Sequence, residues 1–318
     1  MKKLAMQLAK CDRSHEVKEL LIKYGYWDNP SCWRDLGDND SNWSIVGNQQ
    51  SDALGSLVEK HVNQCDSILF SECLQNGVDP LDHAKAPKSV KDAKENLLGI
   101  PDGDISKLKP SERTKLAKKF AGLVVTGDRL TPTYTFFDHG EGQAPEKFPE
   151  TFLGLVKSNK VKTSFVQGKF GMGGSGAIPF CGDGIQLIIS RRNPNINDGS
   201  LSDDCGFTVT RKFEPTGNER LPVIRYLQID GKIPKFSADQ ALKLLPKENN
   251  KYPCVEDWHH GAFIKLYDYD IGPTLRSIGS TDLGRKLGVK VVDPVIPIRI
   301  YERRNSGKKS PEETMNGL

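Results

Sequence analysis

Apolar residues recur along 51–74 as Leu54, Leu57, Val58, Val62, Cys65, Leu69 and Cys73, the spacing of one buried helix face, with Ser51 as its N-cap. A shorter helix is predicted over Glu16–Lys23, and another from near Ser111 with Glu112 in its first turn. Beyond residue 130 the texture changes. TPTYTFFD, GIQLIISRR, GFTVTRKF, VIRYLQI, KIPKF and GAFIKLYDY show alternation or short apolar runs and read as strands, with Asp230-Gly231 placed for a two-residue hairpin turn. Helices followed by a run of antiparallel strands predict the α+β class: a two-layer sandwich of a mixed, mainly antiparallel sheet with helices on one face.

Three regions follow from this texture. Residues 1–50 form an N-terminal arm or cover segment, with Trp27, Trp33 and Trp43 as surface anchors. Residues 51–271 form the main domain, interrupted at about 77–129 by a polar insertion with turn chemistry at Asp79-Pro80, Ile100-Pro101-Asp102-Gly103 and Lys109-Pro110. Residues 272–318 are a C-terminal extension or the start of a following domain. They carry a helix-like TLRSIGSTDLGRKLG, a strand in VIPIRIYERR, and a polar ending, SGKKSPEETMNGL, expected to lack structure.

Composition narrows the class only a little. Of 318 residues, 36% are hydrophobic and 27% charged, the balance of a globular domain. No apolar run approaches the roughly 18 residues of a bilayer span, and the apolar stretch of MKKLAMQLAKCDRSHE is too interrupted for a secretory signal, so a cytoplasmic location with no membrane partner is expected. The seven cysteines, Cys11, Cys32, Cys65, Cys73, Cys181, Cys205 and Cys254, are scattered without a CxxC pair and read as reduced, mostly buried thiols. A net charge of +4 does not by itself call for a nucleic-acid partner.

The candidate chemistry lies in three short elements. On the long helix Glu59, Asn63 and Asp66 fall at i, i+4 and i+7 and so share a face. The strand TYTFF runs into Asp138-His139-Gly140-Glu141-Gly142, a D-x-G-x-G. A glycine-rich run follows: Gly168, Lys169, Phe170, Gly171, Met172, Gly173, Gly174, then Ser175-Gly176 and an expected helix from Ala177. Its successive backbone N–H groups suit an anion nest. GxxxxGK[ST] is absent, which excludes a P-loop, and no first βαβ strand precedes the glycines, which excludes a dinucleotide fingerprint.

Taken together and in this order, the three elements resemble the nucleotide-binding motifs of the GHKL superfamily (the Bergerat fold), whose members include gyrase B, the heat-shock chaperones of the Hsp ninety class, MutL and histidine kinases. The resemblance covers Ser51 to Asp270, and GKFGMGGSGA reads most like the chaperone lid. It implies ATP and Mg²⁺ as ligands, with Glu59 as the general base on the attacking water and Asn63 as the metal ligand. It implies that Asp138 accepts from the exocyclic amine of adenine, that Gly140 and Gly142 let the backbone approach the base, and that Gly168, Lys169, Phe170, Gly171, Met172, Gly173 and Gly174 cradle phosphates. It further implies lid closure coupled to homodimerisation. Long, inserted domains of this sort are similar to MutL- and MORC-like ATPases of prokaryotic restriction and phage defence, which implies DNA or defence-system subunits as partners.

Two departures from the family are legible. Ala262 stands where the family usually has a threonine behind the adenine aspartate, and no lysine or arginine is assignable as the residue that reaches the γ-phosphate. Two other readings compete with the ATPase: an ATP-gated binding module with little turnover, and a nucleic-acid-binding domain using Lys107, Lys109, Arg113, Lys115, Lys118 and Lys119. The pair His259-His260, beside Glu256, Asp257 and Trp258, suggests a metal site, but neighbouring strand residues point to opposite faces.

Overall fold

The computed structural model describes residues 1–49, 52–155, 160, 162–168, 174–217, 220–238, 240–245, 257–273, 282–304 and 312–317. In chain order the helices are α1 (Lys2–Lys10), α2 (Ser14–Lys23), α3 (Asn42–Gln49), α4 (Ala53–Gln75), α5 (Val90–Leu98), α6 (Pro110–Phe120) and α7 (Gly284–Lys290). The strands are β1 (Trp33–Asp35), β2 (Ala121–Gly127), β3 (Pro132–Asp138), β4 (Gln186–Arg191), β5 (Cys205–Phe213), β6 (Val223–Leu227), β7 (Lys235–Phe236), β8 (Gly261–Leu266), β9 (Ile298–Glu302) and β10 (Glu312–Met315). They form one mixed sheet in the order β1-β6-β5-β4-β8-β3-β2-β9-β10, with β7 paired to β5. The β2–β9 ladder is parallel and the other described ladders are antiparallel. The α+β class and the mainly antiparallel sheet are therefore as expected.

The expectation of helices on one face is overturned, and the strands show why. All seven residues of β3 are buried, so both faces of the sheet centre need a cover. On one face Leu8, Val17 and Leu21 join Phe137, Leu187, Phe207 and Phe263 in a common core. On the other, Leu54 and Leu57 of α4 join Leu123, Val125, Tyr134, Phe136 and Leu266. Each fully buried aliphatic side chain contributes about 1.5–3 kcal/mol relative to exposure. The result is three layers.

The N-terminal segment is the cover rather than a free arm. Lys265 Nζ, buried on β8, donates to Ala9 O at 3.0 Å and to Asp12 Oδ1 at 2.9 Å, and Tyr267 OH donates to Leu8 O at 2.7 Å. The bonds to Leu8 O and Ala9 O reach carbonyls of the last turn of α1, where the helix itself leaves acceptors to be satisfied; Leu8 O also accepts from Cys11 N at 3.1 Å. Arg13 adds ion pairs to Asp128 and Asp268. Trp27 and Trp33 are buried edge to face, with the Arg211 guanidinium 3.6 Å from the Trp27 ring centre, so they serve this chain's own packing.

Three local expectations change. The long helix is capped by Asp52, whose carboxylate accepts from Leu54 N at 3.1 Å, in place of Ser51. The section 77–129 is not all insertion, because its last residues form β2, a central strand in register with β3. Residues 312–315, expected to lack structure, form β10, held by Glu312 between Arg299 (2.6 Å) and Arg303 (2.5 Å). The Asp230-Gly231 turn is as expected, with φ of 51° and 72° and a bridge between Ile229 and Lys232.

Candidate functional site

α4 carries a stripe of buried polar side chains at i, i+4 and i+8, and these dock it on its surroundings. Ser56 Oγ donates to Gly176 O at 2.9 Å, Lys60 Nζ to Gly174 O at 2.6 Å and Gln186 Oε1 at 2.9 Å, and Gln64 Nε2 to Phe137 O at 2.8 Å. Burial pushes the Lys60 ammonium down to about 8. Beside this stripe the Glu59–Asn63 face of α4 borders a cavity of about 840 Å³, within the range of small-molecule sites. Glu59, Asn63, Asp138, Gly142, Gly168 and Gly174 all line it. Three stretches far apart in sequence thus meet in one hollow.

Glu59 is half-buried, and among the described residues nothing hydrogen-bonds to its carboxylate. Burial raises its pKa, the charge of Lys160 draws it down, and the charge of Asp66 raises it. Asp66, about two turns further along the helix, is fully buried and performs a different task. It accepts from Gln167 N at 2.8 Å, from Gly168 N at 3.0 Å and from Lys160 Nζ at 2.9 Å. The same ammonium donates to Asn63 Oδ1 at 3.1 Å. Asp66 is thus the clamp that ties the start of the glycine segment to α4.

Asp138 ends β3 at the cavity floor, 3% exposed. Its Oδ1 accepts from Gly140 N at 2.9 Å and from Ala262 N at 3.3 Å, with the Ser67 hydroxyl at 3.5 Å. Burial pushes its pKa up to about 7, against those hydrogen bonds and Lys160, which lower it. The carboxylate is thus held by two backbone donors and the Ser67 hydroxyl of α4. Trp258, fully buried, donates its indole N–H to Asp138 O at 3.1 Å and fixes the strand end from behind.

The glycines of the D-x-G-x-G pack against protein. A Cβ on Gly140 would collide with Ser67, and one on Gly142, at φ 60°, with the carbonyl of Arg191. Gly140 lies behind the floor, and only Gly142 borders the cavity. A Cβ on Gly168 would press on Asp66 Oδ2 at 2.9 Å. Lys169, Phe170, Gly171, Met172 and Gly173 lie outside the described residues. The helix expected from Ala177 is a single 3-10 turn, Ile178–Phe180, because the chain turns again at Gly182–Gly184, where Asp183 and Gly184 have positive φ. It is too short to carry a useful dipole.

Sequence reasoning missed Lys60, Lys160, Ser67 and Trp258. The signal for Lys60 was present in the polar spacing Ser56, Lys60, Gln64, which has no reason to lie on a helix's inner side unless it meets backbone groups. Nothing in the sequence around Lys160 places it against Asn63. At the histidine pair, His259 is exposed and His260 lies edge-on to His139 with ring centres 6.0 Å apart; no group of three His, Cys, Asp or Glu suited to a metal exists among the described residues, outside which Glu256 lies. In the basic stretch, Lys107 pairs with Asp102, and Arg113 donates to Leu108 O and Ser106 O, both at 2.7 Å. No described helix is long and apolar enough to cross a membrane. The six described cysteines are free, and all but Cys11 are buried. A scan against models of protein families found no match, and a search of curated proteins found none.

Proposed function

We propose that this chain binds ATP with Mg²⁺ in the cavity between α4 and the sheet and hydrolyses it, as an ATPase domain of the GHKL type. The observation that supports this most is the convergence of Glu59, Asn63, Asp138 and both described ends of the glycine segment on one hollow. Asp138, buried at the floor, offers an acceptor to an amine on a purine. Asn63 Oδ1 already accepts an ammonium, so its position suits a cation, and it is the residue that would hold Mg²⁺. When bound, Mg²⁺ supplies neutralisation of phosphate charge. Glu59, its pKa raised by burial, is the group available to take a proton from water.

Thermal melting tests binding. ATP at a hundredfold excess over its Kd should stabilise the fold by about 2.7 kcal/mol. GTP should do less, and Asp138→Asn should lose the ATP shift. Absence of any purine effect on the wild type sinks the reading. Glu59→Ala should keep the melting shift while phosphate release falls about 10²-fold or more. A wild-type chain that is stabilised without releasing phosphate is instead a nucleotide-gated binding module. Pairing of two copies on ATP, and engagement of DNA or defence-system subunits, belong to the same reading. Sedimentation with a non-hydrolysable ATP analogue checks the first of these.

A further inference from the structure

The ammonium of Lys160 sits between Asn63 Oδ1 and Asp66 Oδ2, at 3.1 Å and 2.9 Å, on the cavity wall. It occupies the place that the preceding reading gives to a divalent cation. We propose that Lys160 is a resident counter-cation that competes with the divalent ion for Asn63. The inference rests on that reading for the identity of the ion, but the competition is a property of these three side chains.

The physical case begins with Asp66. Its carboxylate is fully buried, and two of its donors are backbone N–H groups, which carry no net charge. A full positive charge beside it is supplied by Lys160, whose side chain is 25% exposed and so has a route out to solvent. An incoming divalent ion on Asn63 would stand a few ångströms from that ammonium, and like charges at that distance repel. A divalent ion on Asn63 Oδ1 would take the acceptor that the ammonium now uses, so the two cations exclude one another there. A flexible, strongly hydrated lysine suits a charge that must leave. Displaced from Asn63, Lys160 stays beside Asp66 on the cavity wall, a cation within that hollow, a role that no basic residue could be given from sequence.

The test is Mn²⁺ binding to the full chain without nucleotide, read from the electron paramagnetic resonance of free Mn²⁺. Lys160→Met and Lys160→Gln should each bind Mn²⁺ about tenfold more tightly than the wild type. Adding Asn63→Ala to either variant should abolish the gain. Lys160→Gln keeps a hydrogen-bond donor toward Asn63 and Asp66 without the charge, so it serves if Lys160→Met fails to melt cooperatively. Equal Mn²⁺ affinity in wild type and Lys160→Gln, or a gain that survives Asn63→Ala, overturns the proposal. The ATP melting shift of the wild type is a separate readout. Its absence removes the nucleotide reading and leaves the Mn²⁺ comparison standing.

Discussion

Asp66 Oδ2 accepts the backbone N–H of Gly168 at 3.0 Å, and a Cβ at Gly168 would press on that same oxygen. The glycine is there because a buried carboxylate has come up against the main chain. Asp66→Ala removes the acceptor of two backbone N–H groups and one of the acceptors of the Lys160 ammonium, which keeps Asn63 Oδ1. It should cost about 3–5 kcal/mol in urea unfolding, the usual range for breaking a buried pair. A loss under about 1 kcal/mol in that measurement would mean that the clamp carries no weight.

Gly142 and Gly77 have similar positive φ, 60° and 71°, but different surroundings. At Gly77 an added Cβ meets nothing within 4 Å, whereas at Gly142 it meets the Arg191 carbonyl. Gly77→Ala should therefore cost only the left-handed backbone penalty of about 1–2 kcal/mol. Gly142→Ala should cost clearly more, since the chain must shift as well. Paired melting curves check the ordering; equal losses would contradict the collision.

Asp138 has a folded pKa near 7, above its unfolded value, so between about pH 4 and 7 the folded state holds the proton more tightly. This group's contribution to stability therefore falls as pH rises through that window. His61 and His139, both pushed down to about 4 by burial, act oppositely, because stability is lost as pH falls below the ordinary histidine range. Asp138→Asn removes only the first trend. Its stability relative to wild type should improve steadily from pH 4 to 7, by up to about 4 kcal/mol for a shift of this size. Denaturant titrations at several pH values measure it, and a pH-independent difference would refute the raised pKa.

Trp258 donates to the Asp138 carbonyl from within the core. Trp258→Phe keeps most of the apolar volume but orphans that acceptor, for a loss of about 1–3 kcal/mol. If ATP binding is then tested, the variant should bind more weakly without losing its preference for ATP over GTP, because the Asp138 side chain is retained. Loss of the preference would place Trp258 in recognition rather than support.

Much of the cavity was legible because its parts are local patterns. Glu59, Asn63 and Asp66 are a helical period, and Asp138 ends a strand whose apolar run is unmistakable. Partners set by tertiary approach were not legible: Lys160 against Asn63, Lys60 against Gly174, Ser67 behind Asp138. The second helical layer was missed because α1 looked like a broken apolar stretch, although strands buried on both faces demanded a second cover. β10 was missed because its residues, Glu312–Met315, are stabilised by pairing and by two arginines, which leave no apolar signature.

The bond from Lys265 to Ala9 spans 256 residues, and it secures the first helix of the chain to one of the last strands of the sheet. A growing polypeptide therefore makes α1 early, packs it first against α2, where Tyr24 OH donates to Gln7 Oε1 at 2.8 Å, and must wait for β8 before Lys265 reaches its last turn. The floor of the hollow waits for the same strand, since Ala262 and Trp258 complete the surroundings of Asp138. Loop closure over such separations is slow and exposes apolar surface meanwhile. Assembly of the site during synthesis is thus a late event.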